Sequence, residues 1–552
     1  MSRSPLMGQL RRAFRLARLA EARGLETSEA VEWGRRVEAR KRQEAQKAPE
    51  RQITRRGLLQ AGLGAAGAAA LSGCGSAPRS GGVEAAVANP VAIVGAGIAG
   101  LTVAYRLWQK GVPFRLYEAN TRVGGRMYTL RGRFSRPVEL GGELIDSWHK
   151  SILGLCQELK IPVRDLYAAD KGLEPEVYHF GGRFVPTQEV VDGFRPIARR
   201  IDSDLIGTGL GRHTYISYKD PGKNGRFLDS LSIRDYLVRA GAAPVIRELL
   251  EVAYTIEYGL EASEQSCLNL LYLIGGQGQF RIFGSSDERY TIEGGNDQLP
   301  KNLAQLVGDY IQLGSVLEAI SQRSDGQYLL SLRQGNRSVQ VVAPRVVLAL
   351  PFSLLREVAI NVALPAVKLK AIRELGYGTN SKLFAEFKER IWRTRYEASG
   401  QLFTDYPFQN QWEPKRTPQG LGGPLSNYTG GQQGLAVGQG TVEAQVGAWL
   451  GDLEKIWPGI QGAQDLTVAP VRAYWPGERW VKASYSAYRM GQWTSFSGAE
   501  AEAVGGLHFC GEHTSVDAQG YMEGGCASGE RVAQEILAAL GKKGALAVAM
   551  RS

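Results

Sequence analysis

Hydrophobic positions along the body of the chain predict short buried strands that alternate with helices. Residues 90–94 form an apolar run typical of a strand, and apolar residues then recur at helical spacing over 98–111. Residues 114–117 predict a second strand, and the apolar run 346–351 predicts a further buried one. Strands and helices in this order favour an α/β fold with a parallel sheet.

A glycine-rich turn joins the first predicted strand to the first helix. Gly95 permits the tight turn, Gly97 lets a pyrophosphate approach the backbone, and Gly100 allows the helix to pack closely on the strand. Glu118 follows the second strand, where it can accept hydrogen bonds from ribose hydroxyls. A lone GxGxxG is often only a glycine-rich turn. Here the strand, glycines, helix, second strand and acidic residue occur in order, which favours dinucleotide binding.

Residues 1–89 differ from the body in composition. Residues 8–48 predict a charged helix, and the pair Arg55 and Arg56 precedes an Ala/Gly/Leu run that ends at Cys74. An arginine pair before an apolar run too short for a stable membrane span is typical of a twin-arginine export signal. The alternative is a fortuitous arginine pair ahead of an alanine-rich helix. We therefore expect an exported protein, periplasmic or membrane-anchored.

Residues 71–74 also resemble a bacterial lipoprotein box, which would place a lipid on Cys74 after cleavage. Plain cleavage and an uncleaved anchor stay open, because so short a motif carries little information. Residues 75–89 are small and polar and are interpreted as a tether to the folded body.

The net charge of +11 does not indicate nucleic-acid binding, because its source is the leader. Residues 1–56 contain 15 Arg or Lys and seven Glu, so the basic and acidic residues of the body nearly balance. The five cysteines are scattered without a CxxC pair and there are five histidines, so neither a disulfide scaffold nor a metal site is expected. A length of 552 residues predicts two domains or one elaborated unit.

Several separated segments of the body together resemble the flavin amine oxidase superfamily. Residues 119–126 contain the glycine pair and the arginine of its second FAD signature. Residues 138–144 are similar to the strand that passes beside the flavin ring in that superfamily. The other matching segments are 290–296, 311–316, 507–514 and 520–525. The resemblance covers roughly residues 90–540. It implies a Rossmann-like FAD-binding domain, a parallel sheet with helices, and an interleaved α+β substrate-binding domain.

The resemblance also divides the chain. The FAD-binding domain is expected to be discontinuous, with pieces at 90–155, 285–355 and 480–540. The substrate-binding domain is expected at 156–284 and 356–479, and residues 541–552 form a tail.

The cofactor implied by the resemblance is noncovalent FAD. Glu118 would bind the ribose, and Arg126 would supply charge to the pyrophosphate. The backbone at Val316 would contact adenine, and Glu512 would bind the ribityl chain. The other residues assigned to FAD are Gly95, Gly97, Gly100, Gly142, Glu143 and Met522. Some members attach FAD through a cysteine just before the first active-site tyrosine, but this chain has Ser484 there, which cannot form the thioether.

Three residues match the reaction centre of the superfamily. Lys382 matches a lysine whose ammonium holds a water against the flavin. Strand alternation places the Lys382 side chain on the face of the sheet opposite to that of Leu383. The alternative is a surface lysine. Tyr485 and Tyr521 match the tyrosine pair that flanks the substrate nitrogen, the alternative being ordinary core tyrosines. Trp480 resembles part of the same wall and is assigned to the substrate site together with Glu143.

The activity implied is oxidative deamination of a primary amine with O2 as acceptor, giving an aldehyde, ammonia and H2O2. L-Amino acid oxidases of the superfamily hold the substrate carboxylate with an arginine shortly after the ELG strand, where this chain has Glu143 and Asp146. If Glu143 points into the cavity it favours a cationic amine, and if it pairs with a neighbouring base it does not. L-Amino acid oxidation stays open, since an arginine such as Arg281 would serve the carboxylate.

A noncatalytic flavoprotein and a carotenoid-type desaturase or isomerase are the remaining alternatives, and the lysine and tyrosine pair favour C–N oxidation over both. The partners expected are a small amine or amino acid, O2 or another electron acceptor, and the twin-arginine translocon. No nucleic-acid partner is expected. A homodimer and a membrane tether stay open.

Overall fold

The structure, a computed structural model, describes residues 90–541 apart from 171, 175–176, 211–213, 276–285 and 418–419. It also describes residues 26, 28, 29, 31, 32, 35 and 36, of which all but the first are helical, within the charged helix predicted at 8–48. The arginine pair at 55–56, the cysteine at 74 and the tail from 542 lie outside the described residues, as does Arg281.

A parallel sheet of five strands organises the nucleotide-binding half. Its strands, in spatial order, are Leu507–Phe509, Val346–Leu348, Val91–Val94, Phe114–Tyr117 and Ile311–Gln312. All four neighbouring pairs run parallel. The predicted strands at 90–94, 114–117 and 346–351 all lie in this sheet, and the α/β fold with a parallel sheet is confirmed.

Both faces of this sheet are covered, which explains why its strands are apolar throughout. Val91 and Ile93 belong to one apolar cluster, whereas Ala92 and Val94 point to the opposite face and belong to another. Helices Ile98–Gln109 and Met522–Ala539 pack on the first face. Alternate side chains of a parallel strand therefore both enter a core.

A seven-stranded sheet forms the other half. Its strands, in spatial order, are Val471–Tyr474, Ser381–Phe387, Gly423–Thr429, Asn410–Trp412, Leu402–Thr404, Val177–Phe180 and Arg183–Phe184. Neighbours are antiparallel except for the parallel pair Leu402–Thr404 and Val177–Phe180. This order does not follow the chain, so strands from distant segments become neighbours.

Smaller sheets and further helices complete the described part. A four-stranded sheet contains Arg337–Ala343, Tyr328–Gln334, Ser315–Gln322 and Ala359–Asn361, and two-stranded ladders pair Thr129–Leu130 with Val138–Glu139 and Val163–Asp165 with Tyr290–Ile292. The other α-helices are Lys150–Glu158, Thr187–Gly207, Gly225–Asp229, Ile233–Arg239, Pro244–Tyr258, Cys267–Gly275, Gln298–Leu306, Phe352–Leu355, Ala366–Glu374, Ile391–Thr394, Gly431–Ala436, Val442–Ile456, Ile460–Ala463 and Gln492–Phe496.

The strand Ser381–Phe387 shows how the two halves meet. Its alternate residues Leu383 and Ala385 belong to an apolar cluster with helix Val442–Ile456. Phe384, on the opposite face, packs on Phe134, with ring centroids 6.1 Å apart. Lys382 shares the face of Phe384 because strand side chains alternate with a period of two, so it points toward segment 134–143.

Two features of the described residues concern membranes and metal ions. Within these residues, no helix is long and apolar enough to cross a bilayer. In the same part of the chain, no group of three or more His, Cys, Asp and Glu side chains is placed to hold a metal ion.

Candidate active site

Three glycines shape the turn between the strand Val91–Val94 and the following helix. Gly95 has φ +104°, and a Cβ there would lie 2.7 Å from the carbonyl oxygen of Ala349. A Cβ at Gly100 would lie 2.0 Å from the carbonyl oxygen of Gly95. A Cβ at Gly97 would meet nothing within 4 Å. Gly95 and Gly100 are therefore required for packing, whereas Gly97 leaves the backbone open beside a cavity.

A cavity of about 520 Å³ runs along this turn. It brings together residues from distant parts of the chain, including segments 118–127, 315–318, 349–351, 478–482 and 511–525. Among the residues assigned to cofactor and substrate from the sequence, it is lined by Gly95, Gly97, Glu118, Arg126, Val316, Trp480, Glu512, Tyr521 and Met522. The turn and the cavity therefore form one binding site.

Glu118 lies at one part of this cavity and ties two segments together. Its carboxylate accepts hydrogen bonds from the backbone N–H groups of Ala96 and Asn120, both at 2.7 Å. Burial raises the pKa of Glu118, and these backbone donors act in the opposite direction. The side chain therefore fixes the glycine turn to the end of the second strand, beside the position expected to hold the ribose.

Glu512 lies at another part of the cavity and is held by a network of donors. Arg126 Nη1 donates to Glu512 Oε1 at 2.8 Å, and the hydroxyl of Ser486 and the backbone N–H of Gly520 donate to Oε2 at 2.7 and 2.9 Å. Burial acts to raise the pKa of Glu512, but the charge of Arg126 and these hydrogen bonds outweigh it and lower the pKa to about 2.

Arg126 therefore shares its charge with a carboxylate. The same Nη1 also donates to the carbonyl oxygen of Ser484 at 2.9 Å. Arg126 also lines the cavity, which is compatible with a contact to a pyrophosphate. That contact stays a prediction. The Ser484 hydroxyl donates to Asn380 Oδ1 at 2.7 Å and offers no thiol to a flavin.

Two further residues were assigned to FAD from the sequence. Met522 lies at the start of the last long helix, and Gly142 lies just after the strand Val138–Glu139. Met522 is the first residue of helix Met522–Ala539, and it lines the cavity. The backbone N–H of Gly142 donates to the carbonyl oxygen of Arg126 at 3.1 Å. The carbonyl oxygen of Gly142 accepts from Asn296 Nδ2 at 3.0 Å, which fixes this segment.

These features fit an FAD. The open backbone at Gly97, the first turn of helix Ile98–Gln109 and the first turn of helix Met522–Ala539 face one cavity. Helix N-termini favour the negative charge of phosphates and of a reduced flavin. The residues that would hold FAD are Gly95, Gly97, Glu118, Arg126, Val316, Glu512 and Met522.

Lys382 is buried, which rules out the surface alternative. Its side chain is 4% exposed, and its ammonium lies 2.8 Å from Glu143 Oε2. The ammonium also donates to the carbonyl oxygens of Glu139 and Gly141, at 3.0 and 3.1 Å. Three protein oxygens therefore lie within hydrogen-bonding distance of the ammonium, which has three donors, and the water expected between it and the flavin stays a prediction.

Both carboxylate oxygens of Glu143 accept hydrogen bonds from neighbouring side chains. Its Oε2 accepts from Lys382, and its Oε1 accepts from Trp412 Nε1 at 3.0 Å. Of the two alternatives for Glu143, the structure shows the pair with a neighbouring base, and its assignment to the substrate site stays a prediction. The assignment of Glu143 to FAD is not supported by a contact with the cavity, because its two oxygens are directed to these partners.

The two predicted tyrosines differ in their surroundings. The Tyr485 hydroxyl donates to the carbonyl oxygen of Glu257 at 2.5 Å and lies 2.9 Å from the Tyr428 hydroxyl. Tyr485 is fully buried. Tyr521 immediately precedes the last long helix and lines the cavity. Tyr521 therefore lines the cofactor cavity, whereas Tyr485 is buried and its hydroxyl is paired with that of Tyr428.

Sequence reasoning missed an aromatic group next to Tyr521. The ring centroids of His149 and Trp148 lie 5.0 and 6.0 Å from that of Tyr521, in edge-on arrangements. The carboxylate of Asp146 accepts from Trp148 Nε1 at 3.0 Å, and the backbone N–H of Asp146 donates to His149 Nδ1 at 3.0 Å. The neighbouring ELG motif was the one signal that could have drawn attention to this turn.

Trp412 and Tyr428 were also missed. Their ring centroids are 5.3 Å apart, and the Lys382 ammonium lies 5.2 and 5.9 Å from the two centroids. Tyr428 is directly opposite Lys382 in the antiparallel ladder. The order of the strands in the sheet brings these residues together, and no local sequence motif marks either of them.

Trp480 lines the dinucleotide cavity, with the Arg479 guanidinium 4.6 Å from its ring centroid.

The fold and site define a dinucleotide-dependent oxidoreductase, in which a parallel sheet holds the cofactor and a second sheet carries a buried lysine. Residues 98–537 match the family described as flavin containing amine oxidoreductase, and the chain belongs to this family. FAD is its cofactor, and the protein is an FAD-dependent oxidoreductase that acts on amines.

Known relatives and structures agree with this family. The chain is 25% identical to the flavin-containing amine oxidase of Danio rerio over 476 residues, 82% of this chain and 87% of the relative. It is 24% identical to the flavin-containing amine oxidase B of Homo sapiens, over 82% of this chain and 86% of the relative.

Two solved structures share the fold. Cyclohexylamine oxidase from Brevibacterium oxydans superposes with a TM-score of 0.71 at 22% identity, over 82% of this chain and 99% of that one. Putrescine oxidase bound to putrescine gives a TM-score of 0.68 at 20% identity, over the same shares.

Proposed function

We propose that this chain oxidises primary amines that carry no carboxylate, with O2 as the acceptor. The overall reaction converts the amine, O2 and water into an aldehyde, ammonia and H2O2. Bound FAD supplies the two-electron acceptor for the C–N oxidation. The observation that carries the proposal is the closed ion pair between Lys382 and Glu143.

The ion pair decides which substrates the buried site favours. Glu143 and Asp146 lie in the stretch after the ELG strand where, by the resemblance, L-amino acid oxidases have a carboxylate-binding arginine. The pair concerns Glu143. Its charge is matched by Lys382, so the pair offers no net positive charge to a substrate carboxylate. A carboxylate brought into a buried site without a matching cation pays a desolvation penalty that the pair does not offset.

The surrounding aromatic residues support the same conclusion. Trp412, Tyr428 and Tyr485 are all buried and contact one another through rings or hydroxyls. Aromatic side chains pack well against an apolar amine, and their ring faces attract its nitrogen more strongly than aliphatic side chains would. We therefore expect these residues to orient a monoamine and to exclude water from the reacting carbon.

A panel of matched substrate pairs tests this proposal. Phenethylamine against L-phenylalanine, and 3-methylbutylamine against L-leucine, differ within each pair only by the carboxylate. We expect kcat/KM for each amine to exceed that for its amino acid by roughly 100-fold or more, which corresponds to about 3 kcal/mol for a carboxylate buried without a partner. Peroxide release measures the rates. Preference for the amino acids would establish L-amino acid oxidation instead, and a flavin that no member bleaches anaerobically would indicate a noncatalytic protein.

We also propose export through the twin-arginine route, which carries folded proteins and so accommodates a body with FAD already bound. Replacing Arg55 and Arg56 together by lysine is expected to retain the enzyme in the cytoplasm, as cell fractionation would show. Arg51→Lys, a change in the same basic stretch, is the matched control and is expected to leave export intact. Export of the Arg55/Arg56 variant at the wild-type level would contradict the proposal.

A further inference from the structure

The helix Lys150–Glu158 is capped by a residue from a distant part of the chain. Within the described residues, the side chain of His149 at its N-cap position makes no capping hydrogen bond. The buried carboxylate of Glu523 supplies the acceptors: Oε1 accepts from the backbone N–H of Ser151 and Oε2 from that of Ile152, both at 2.8 Å. The first N–H groups of a helix have no partner within the helix, and a negative charge beside them is favourable. Glu523 therefore holds the start of this helix.

Glu523 itself belongs to a helix that begins at the cofactor cavity. It is the second residue of helix Met522–Ala539, and Tyr521 occupies the N-cap position of that helix. Tyr521 and Met522 both line the cavity. Met522 has a further contact, since its Sδ lies 3.9 Å from Asn296 Nδ2. The capping carboxylate is therefore only two residues along the chain from a tyrosine that lines the cavity.

The same two segments meet a second time through aromatic rings. Trp148 and His149 immediately precede the capped helix, and their ring centroids lie 6.0 and 5.0 Å from that of Tyr521, in edge-on arrangements. The carboxylate cap and the ring contacts are thus two points of attachment between one pair of segments. Two attachments restrict both the separation and the relative rotation of the segments, whereas one alone would leave the rotation free.

We infer that Glu523 is a positioning residue, which holds the Tyr521 ring in one orientation at the cavity by capping helix Lys150–Glu158. Glu523 acts through Tyr521, which lines the cavity. Reaction rates are sensitive to small displacements of the groups that orient a substrate. From the proposed function the inference takes only that Tyr521 contacts the substrate, so it holds for an amine and for an amino acid alike.

Glu523→Gln is expected to slow reduction of the flavin by saturating substrate about tenfold, a loss that a displacement below 1 Å accounts for. Glutamine keeps the volume but offers one acceptor oxygen and presents an NH2 group to the other backbone N–H. Reoxidation of the photoreduced flavin by O2 needs no substrate and is expected to keep the wild-type rate. FAD content is also expected to survive, because Met522 keeps its contact with Asn296.

Stopped flow measures the two half-reactions separately. The reductant is phenethylamine or L-phenylalanine, whichever reduces the wild-type flavin faster, so an error in the proposed substrate class does not affect the outcome. A merely structural role would slow both half-reactions or lower FAD content. Wild-type flavin reduction in Glu523→Gln, or equal slowing of both half-reactions, would overturn the inference.

Glu530→Gln is the matched control. Glu530 lies about two turns further along helix Met522–Ala539, and its carboxylate pairs with Arg106 at 2.7 Å. The control therefore removes a carboxylate that ties the same helix to a neighbouring helix but leaves the cap in place. We expect lower thermal stability with flavin reduction at the wild-type rate. Slowing of flavin reduction by the same factor in both variants would show a general effect of loosening this helix and would contradict the inference.

Hydrogen exchange of the FAD-loaded protein tests the attachment without any substrate. In Glu523→Gln, the amides of Ser151 and Ile152 are expected to exchange about fivefold faster or more, as for the loss of one helix cap. The amides of residues 521–525 are expected to exchange faster as well, and Glu530→Gln is expected to leave both sets unchanged. Faster exchange at Ser151 and Ile152 with wild-type exchange at 521–525 would show that the cap stabilises only its own helix and would refute the positioning role.

Glu523→Asp keeps the inference testable if Glu523→Gln does not fold. Aspartate retains the charge, but its carboxylate is one methylene shorter and reaches the two backbone N–H groups less well. We expect the exchange at Ser151 and Ile152 to rise and flavin reduction to slow, each by a smaller factor than in Glu523→Gln. A wild-type value in either measurement would overturn the inference.

Discussion

Replacing Lys382 with methionine is expected to reduce turnover by about two orders of magnitude or more, the loss typical of removing one preorganised electrostatic donor. Methionine keeps a similar length and apolar volume but carries neither the charge nor the three N–H donors. The FAD-binding contacts at Glu118 and Glu512 lie elsewhere, so FAD content is expected to survive. Stopped-flow measurement separates flavin reduction by amine from reoxidation by O2, and reoxidation is expected to suffer at least as much as reduction.

The structure adds a control to this prediction. Lys382→Met leaves Glu143 buried without its partner, which is expected to cost about 3–5 kcal/mol of stability in addition to the loss of rate. The double variant Lys382→Met/Glu143→Gln removes the orphaned charge, so it is expected to recover much of the stability while staying slow. Full FAD content with wild-type rates in both half-reactions of Lys382→Met would show that the lysine is structural and that the active site lies elsewhere.

Glu512→Gln is expected to produce the second large effect, on cofactor retention and acid stability. The folded protein holds the pKa of Glu512 at about 2, against an ordinary value of 4.5. Because the folded state lowers this pKa, the ionised carboxylate contributes stability above about pH 4.5, and that contribution is lost as pH falls toward 2. The difference corresponds to about 3 kcal/mol at neutral pH. Glutamine cannot carry the charge, and it leaves Arg126 without its partner.

Urea unfolding of wild type and Glu512→Gln at pH 7, 4 and 3 measures this effect. The stability gap is expected to be largest at pH 7 and to narrow at pH 4 and again at pH 3, and FAD is expected to dissociate more readily from the variant on gel filtration. Glu189→Gln is the control, since Glu189 forms an exposed pair with Arg183 and such pairs contribute about 0–1 kcal/mol. A gap independent of pH, with full FAD retention, would show that the Glu512 charge is not what stabilises the site.

The nucleotide-binding half could be predicted because its determinants are local. Gly95, Gly97, Gly100 and Glu118 lie within one strand–helix–strand unit, and backbone geometry alone fixes their relative positions. The strands and the parallel sheet followed from short apolar runs, since a strand covered on both faces is apolar throughout. The motif containing Glu512 likewise predicted a residue that lines the cavity.

By itself the sequence determined the family, the dinucleotide turn and the burial-prone strand that carries Lys382. Only the tertiary structure decided what that lysine contacts. Glu143 lies 239 residues from it along the chain, and Trp412 lies 269 residues from Glu143. The strands of the seven-stranded sheet do not follow chain order, so their neighbours cannot be read from local patterns. A charge's partner is set by which side chains the folded strands bring within about 3 Å, and that distance is a property of the whole fold.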